Sequence, residues 1–301
     1  MSINEAKLND FMGKMIGDMG AAMSAALILI GDRLGLYKAM ADAGPLTSEE
    51  LARKTKTAER YVRECLAAQA AAGYLLYDAK TQHYELPPEQ AMVLAQEGSP
   101  VFVPGAFHVV ASMFRDEPKI SEAFRTGRGV GWHEHDHALF HGTERFFRAG
   151  YNAHLVSEWL PALDGVIEKL ERDANVADVG CGHGASTIIM ARAFPSSRFV
   201  GFDYHGPSIE RARAAAAEAG VSDRCRFEVA AAKDFPGNGY DLVTFFDCLH
   251  DMGDPVGASR HVLSTLRKNG TWMIVEPFAH DATEDNLNPI GRVFYAASTM
   301  I

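Results

Sequence analysis

The stretch VADVGCGHGAS, residues 176 to 186, limits what this chain can fold into more than any other. Apolar residues run into Gly180, Gly182 and Gly184 at alternate positions, and a helix-forming run, STIIMARAF, follows. Strand, tight glycine turn and helix in that order open a doubly wound sheet, and glycines there let the backbone approach a ligand closely. The spacing is G-x-G-x-G, not the G-x-G-x-x-G of dinucleotide loops. A pyrophosphate needs the helix N-terminus open to negative charge. Asp178 instead offers an acid to the ammonium of a zwitterionic tail, directly or through water.

From Asn175 onward strand and helix patterns alternate. The strand candidates are NVADVG, RFVGFD, RCRFEVA, YDLVTFFD and GTWMIVEP, separated by helical stretches such as PSIERARAAAAEAG. This predicts an α/β fold with a doubly wound, mostly parallel sheet. Asp203 closes the second strand, where a carboxylate can accept hydrogen bonds from both hydroxyls of a ribose. Tyr204 follows and is placed on the adenine face. A plain strand-end turn acid is the alternative for Asp203. Loop, acid and strand spacing together favour a nucleoside site.

The series DVGCGHG, GFD, YDLVTFFDCLHDMGDP and GTWMIVEP resembles the successive motifs of class I S-adenosylmethionine-dependent methyltransferases, and the resemblance covers residues 170 to 278. It implies S-adenosylmethionine as cofactor, held by Asp178, Gly180, Gly182, Gly184, Asp203, Tyr204, Lys233, Asp234 and Asp247. The architecture is similar to small-molecule O-methyltransferases with a winged helix ahead, and to a bacterial branch of winged-helix methyltransferases, proteins that commonly dimerise through that domain. The histidine of a similar histidine-aspartate-tryptophan stretch is their general base, which implies a catalytic His250 oriented by Glu276, with Met252 in place of the tryptophan. A histidine that packs or caps a turn is the alternative, and Asp251 reads as a turn acid. Phe147 and Tyr151 fall where related enzymes line the substrate pocket, with core packing the equal alternative. Two departures stand out. The acid that usually binds the adenine amino group is replaced by Ala232, which leaves Asp234 or backbone groups for that contact. The resemblance also implies a sixth and a seventh strand for which no sequence remains, so an incomplete methyltransferase domain is expected.

The N-terminal part reads as helices. Leu8, Met12, Met15, Ile16, Met19, Met23 and Ile30 recur three and four apart and form one apolar face. A second copy of the chain would cover it, or a later part of the same chain. Thr47 and Glu50 form a capping box in PLTSEELARKT. A second helix runs toward Gly73, and the arms of LLYDAKTQHYEL close a winged helix. Between Thr47 and Gly73 the basic residues Arg53, Lys54, Lys56, Arg60 and Arg63 face Glu49, Glu50, Glu59 and Glu64. A groove reader carries a more one-sided basic face, and the whole chain has a net charge of -10, so a dimerisation module is favoured over a DNA reader. A winged-helix regulator that senses the cofactor is the competing function. The expected domains are 1–95 (winged helix), 96–165 (helical connector and substrate-pocket region) and 166–301 (methyltransferase).

GWHEHDHALFHG, residues 131 to 142, packs four histidines and two acids together. His133 and His137 complete a literal H-E-x-x-H, the pattern of a zinc helix, and a metal-dependent hydrolase is the third reading. The residues around it lack the apolar filling of such a helix, so no metal is assigned and a polar loop or helix start near the pocket mouth is expected. The four cysteines, scattered and without a C-x-x-C pair, suit reduced thiols in a cytoplasm. The most apolar run, AAMSAALILIG, is too short to span a bilayer, so no membrane partner is expected.

Overall fold

In the computed structural model, which describes residues 3–301, the ends of the N-terminal helices are written in the local sequence. Helix α1 (Glu5–Arg33) starts on Asn4, whose side chain accepts from the Lys7 N–H. Short α2 (Leu36–Met40) leads to α3 (Ser48–Thr55), where the Thr47–Glu50 capping box is formed in both directions, at 3.2 and 2.9 Å. Helix α4 (Glu59–Ala71) ends ahead of Gly73, whose φ of 78° only glycine adopts without cost. Strands β1 (Leu76–Asp78) and β2 (His83–Glu85) pair antiparallel as the wing, and α5 (Pro88–Leu94) follows. Leu36, Tyr37, Met40, Leu51, Val62 and Leu66 share one buried core with Ile28 of α1.

Only the end of α1 joins that core. Leu8, Met12, Met15, Ile16, Met19 and Met23 are all exposed, between 39 and 72%, so the predicted apolar face exists and no described residue of its own unit covers it. At 29 residues α1 exceeds its most apolar run, and by length and composition alone it would cross a membrane.

Residues 3–115 and 141–149 form one compact unit, and residues 116–140 and 150–301 form a second. Helices α6 (Pro104–Thr126) and α7 (His137–Gly150) contribute to both, so the connector expected over 96–165 is divided between them. In the first unit Arg145 of α7 holds Asp32 with two guanidinium nitrogens, one at 2.9 Å, and Glu97 at 2.9 Å.

The second unit is built on a parallel sheet. The helical stretch predicted after Thr143 is interrupted: nine residues from Tyr151 to Trp159 form π-helical turns before α8 (Val166–Arg172). Then come β3 (Asn175–Val179), α9 (Ala185–Ala193), β4 (Arg198–Asp203), α10 (Gly206–Glu218), β5 (Cys225–Val229), β6 (Tyr240–Phe246), α11 (Pro255–Thr265), β7 (Leu266–Val275) and α12 (Pro289–Met300). The strand order is β5-β4-β3-β6-β7, all parallel, with the direction of winding reversing between β3 and β6. Ligands in such sheets bind beyond the carboxyl ends of the strands at that reversal. Strand β7 begins earlier than the apolar pattern GTWMIVEP indicates, because Arg267 extends it by bonding to Asp241 at 2.8 Å.

Candidate functional site

The carboxyl end of β3 runs into the glycine loop, which is hung from β4: the Gly180 and Cys181 N–H groups both donate to the Phe202 carbonyl, at 2.8 and 3.1 Å. Gly180 has a φ of 74°, and a Cβ there would lie 2.7 Å from the Cys248 sulfur, so glycine is required twice over. Gly182 differs. Its φ is 52°, and a Cβ would meet nothing within 4 Å. The loop therefore presents bare backbone to open space at Gly182, while Gly184 leads directly into α9.

Asp203 at the end of β4 faces this loop. One oxygen accepts from the Gly182 N–H at 2.9 Å, the other from the His205 N–H at 2.8 Å. Burial pushes its carboxyl above the ordinary range, and the two N–H donors only partly oppose that. Asp178 requires a correction. It is 1% exposed, and the hydroxyls of Ser186, Thr187 and Thr244 donate to it at 2.7, 2.6 and 2.9 Å. A carboxylate enclosed by three donors fastens strand to helix and lies too deep for the expected direct contact with a ligand ammonium, which leaves the contact through water.

Across the reversal point, β6 ends on Phe246 and the chain turns at Asp247, a non-glycine residue with a φ of 51°. Such a conformation is uncommon outside glycine, though Asp and Asn tolerate it best. Its side chain accepts from the Tyr151 hydroxyl at 2.9 Å. Burial, with the Glu276 charge added, raises the Asp247 carboxyl to about 6 against the opposing Tyr151 bond and His250. Tyr151, Trp159 and Phe246 form an aromatic cluster with ring centroids 5.3 to 6.5 Å apart. Tyr151 and Trp159 stand at the two ends of the π-helical turns, a device often found at functional sites.

His250 rides on a single 3-10 turn, Leu249–Asp251, directly after this point. Glu276, just past β7, fixes that turn: one oxygen accepts from the Leu249 and Cys248 N–H groups at 2.8 and 3.3 Å, and the other meets His250 Nδ1. His250 Nε2 lies 3.4 Å from Asp251. The imidazole is about half exposed, at 48%. Burial works against its protonation, but Glu276, Asp251 and Asp247 outweigh it and raise its pKa. A carboxylate on Nδ1 selects the tautomer whose Nε2 is free to take a proton.

Residues 170–294 match the family described as a methyltransferase domain, and residues 22–96 match the Rv2258c-like winged HTH domain. The C-terminal part of the chain is similar to a methyltransferase domain. Trans-aconitate 2-methyltransferase of Enterobacter sp. (strain 638) is 30% identical over 109 residues, 36% of this chain and 41% of that protein. Human N-acetylserotonin methyltransferase, solved in complex with SAM, shares the fold with a TM-score of 0.69 at 18% identity, over 100% of this chain and 87% of that one. The mitomycin 7-O-methyltransferase MmcR does so at 0.68 and 19%, over 99% and 88%. The chain spans about half the length of the curated relatives that it matches.

The remaining expected residues separate. Tyr204 is 49% exposed beside Asp203. Lys233 and Asp234 lie exposed in a turn after β5. Phe147 belongs to the first unit, where its ring stands edge-on to Phe146 at 5.2 Å. The histidine-rich stretch does not form one helix: Trp132–Glu134 is a 3-10 turn, His135 is extended, and α7 begins at His137. His133 and His137 therefore do not share a helical face, which removes the geometry of the zinc reading. Asp116 is a residue that no motif marks. It is 2% exposed and binds His135 Nδ1 at 3.0 Å, the Asp136 N–H at 2.8 Å and Lys119 at 2.7 Å.

Proposed function

We propose that the chain is an S-adenosylmethionine-dependent methyltransferase that acts on a hydroxyl oxygen of a small-molecule acceptor. The observation that carries this reading is the carboxylate-held imidazole of His250, set at the carboxyl end of β6 across the sheet reversal from the Gly182–Asp203 crevice. The site fits the cofactor on the chain's own terms. Open space stands over Gly182, Asp203 has capacity for the two ribose hydroxyls, and Tyr204 offers a face to adenine. Asp247, whose partners include no lysine or arginine, suits the ammonium.

S-adenosylmethionine supplies a methyl group that is already activated, so the residues chiefly align the acceptor, worth about 7–11 kcal/mol of barrier. His250 Nε2 accepts the hydroxyl proton while Nδ1–H donates to Glu276, which holds the imidazolium that forms. Such base catalysis contributes roughly 10²–10⁴-fold. Tyr151 and Trp159 provide an apolar wall for the acceptor. The relatives named above act on small molecules by their own names, which supports that acceptor class. Calorimetry with S-adenosylhomocysteine tests the cofactor: the wild type binds, and Asp203→Asn weakens binding at least tenfold. Unchanged affinity in that variant removes the ribose assignment. Full turnover at neutral pH in His250→Ala, against a panel of phenols and hydroxy acids, removes the base.

The exposed face of α1 supports a homodimer formed through the N-terminal helices, since a contiguous apolar stripe of this kind marks an interaction surface. Ile16→Glu is expected to halve the mass measured by light scattering. The balanced charge of the winged helix supports a packing role without nucleic acid. The competing regulator reading predicts salt-dependent DNA retention without methyl turnover. Four free cysteines support the cytoplasm as the compartment.

A further inference from the structure

The histidine-rich segment absorbed neither a metal nor a step of the reaction, yet it is fastened with care. Residues 131–140 are tied down at Asp116, which takes His135 Nδ1 and the Asp136 N–H, and at Lys119, which bonds Asp116 and the Glu134 carbonyl. Glu134 folds back to the Gly131 N–H at 2.7 Å. His135 is buried and held entirely by these bonds on one side; its Nε2 has no partner among the described residues. What the strap delivers lies on its other side. The His133 ring stands edge-on to Tyr204, with centroids 5.9 Å apart. Phe140 stacks on His205 at 4.6 Å and 11°. Tyr204 and His205 are the two residues that follow Asp203.

We infer that residues 131–140 form a strap that seats Tyr204 for the adenosine half of the cofactor, with His133 as the contacting residue and Asp116 as the positioning residue that anchors it. This rests on the cofactor reading given above and deepens it. An exposed tyrosine beside the ribose acid has several rotamers to lose on binding. An edge-on ring against it restricts those rotamers beforehand, so less ordering remains for the ligand to oppose. The two acidic residues of the segment also acquire distinct tasks: Glu134 closes the 3-10 turn, and Asp136 hands its N–H to Asp116. The histidine spacing follows the same logic, with His133 exposed on the 3-10 turn and His135 buried just after it.

The test compares S-adenosylhomocysteine with adenosine by calorimetry on the full chain. His133→Ala, an exposed substitution that leaves the fold intact, is expected to weaken both ligands by the same factor, about threefold to tenfold, the range of one aromatic contact. His133→Phe retains the ring and is expected to restore most of that loss, which a general structural defect would not allow. Asp116→Asn is expected to weaken both ligands as well. Unchanged affinity in His133→Ala overturns the inference. So does a loss for S-adenosylhomocysteine that adenosine does not share, since that would place the effect at the amino-acid end. A wild type that binds S-adenosylhomocysteine while the variants match it defeats the strap alone, whereas a wild type that binds neither ligand defeats the cofactor reading and the strap with it.

Discussion

Two regions of this chain bury carboxylates, and they do so in opposite ways. In the first unit Asp32 is surrounded by cations. Burial acts to raise its carboxyl, but hydrogen bonds and charge from His108 and Arg145 prevail and hold it far below the ordinary range. In the second unit Asp247 is buried beside Glu276, with only a tyrosine hydroxyl and a histidine to oppose the effect, and rises to about 6. Arg145, itself 9% exposed, also answers Glu97 and lies over the Phe102 ring at 4.9 Å. One cluster is electrostatically complete. The other has negative charge in excess, as a site must if it is to receive a cation.

The difference can be broken most forcefully at Arg145. Arg145→Met leaves Asp32 buried without its partner and is expected to cost about 3–5 kcal/mol, read as a fall in the denaturant midpoint. The Asp32 pair also fixes an acid limit. Because the folded pKa is depressed, its contribution is complete above the unfolded value of about 3.9 and is lost as pH falls toward the folded one. Acid unfolding of Arg145→Met should therefore lose that part of its pH dependence.

Asp247→Asn probes the other pole and should act with the opposite sign. A carboxyl raised to about 6 favours the fold below its unfolded pKa, and this is lost as pH rises through 6. At neutral pH the charge therefore costs stability, and its removal should raise stability by about 3 kcal/mol, since one pKa unit is about 1.4 kcal/mol. Asn tolerates the left-handed backbone. The same variant should bind S-adenosylhomocysteine more weakly, and a variant both stabler and equally tight would refute the ammonium assignment. The smallest effect concerns His250. Its imidazole titration, followed by NMR, should have a midpoint above the ordinary value of about 6.5 and drop in Glu276→Gln. An unshifted midpoint would separate His250 from its carboxylate.

Much of the fold was legible where local rules and global packing agree. The capping box at Thr47, the glycine turn at Gly73 and the five strands follow from short-range pattern, whereas the pairing of His250 with Glu276 was implied only by the family likeness. The burial of Asp178 was not legible because an acid before a glycine loop looks alike in sequence whether it faces a ligand or three hydroxyls. Those hydroxyls come from α9 and β6, eight to 66 residues away. The early start of β7 was hidden because Leu-Arg-Lys-Asn shows no alternation, and Arg267 finds its acid on the neighbouring strand. The π-helical turns left no trace, since Tyr151 to Trp159 keep ordinary helical composition.

The sequence by itself determined most of the elements and their alternation, because strand, loop and helix periodicities act over a few residues. Tertiary structure alone decided which charges find partners. Asp32 and Asp116 are held low by their cationic partners, whereas burial raises the carboxyls of Asp178, Asp203 and Asp247. Burial and the positions of countercharges set that outcome, and both are properties of packed space that no local pattern encodes.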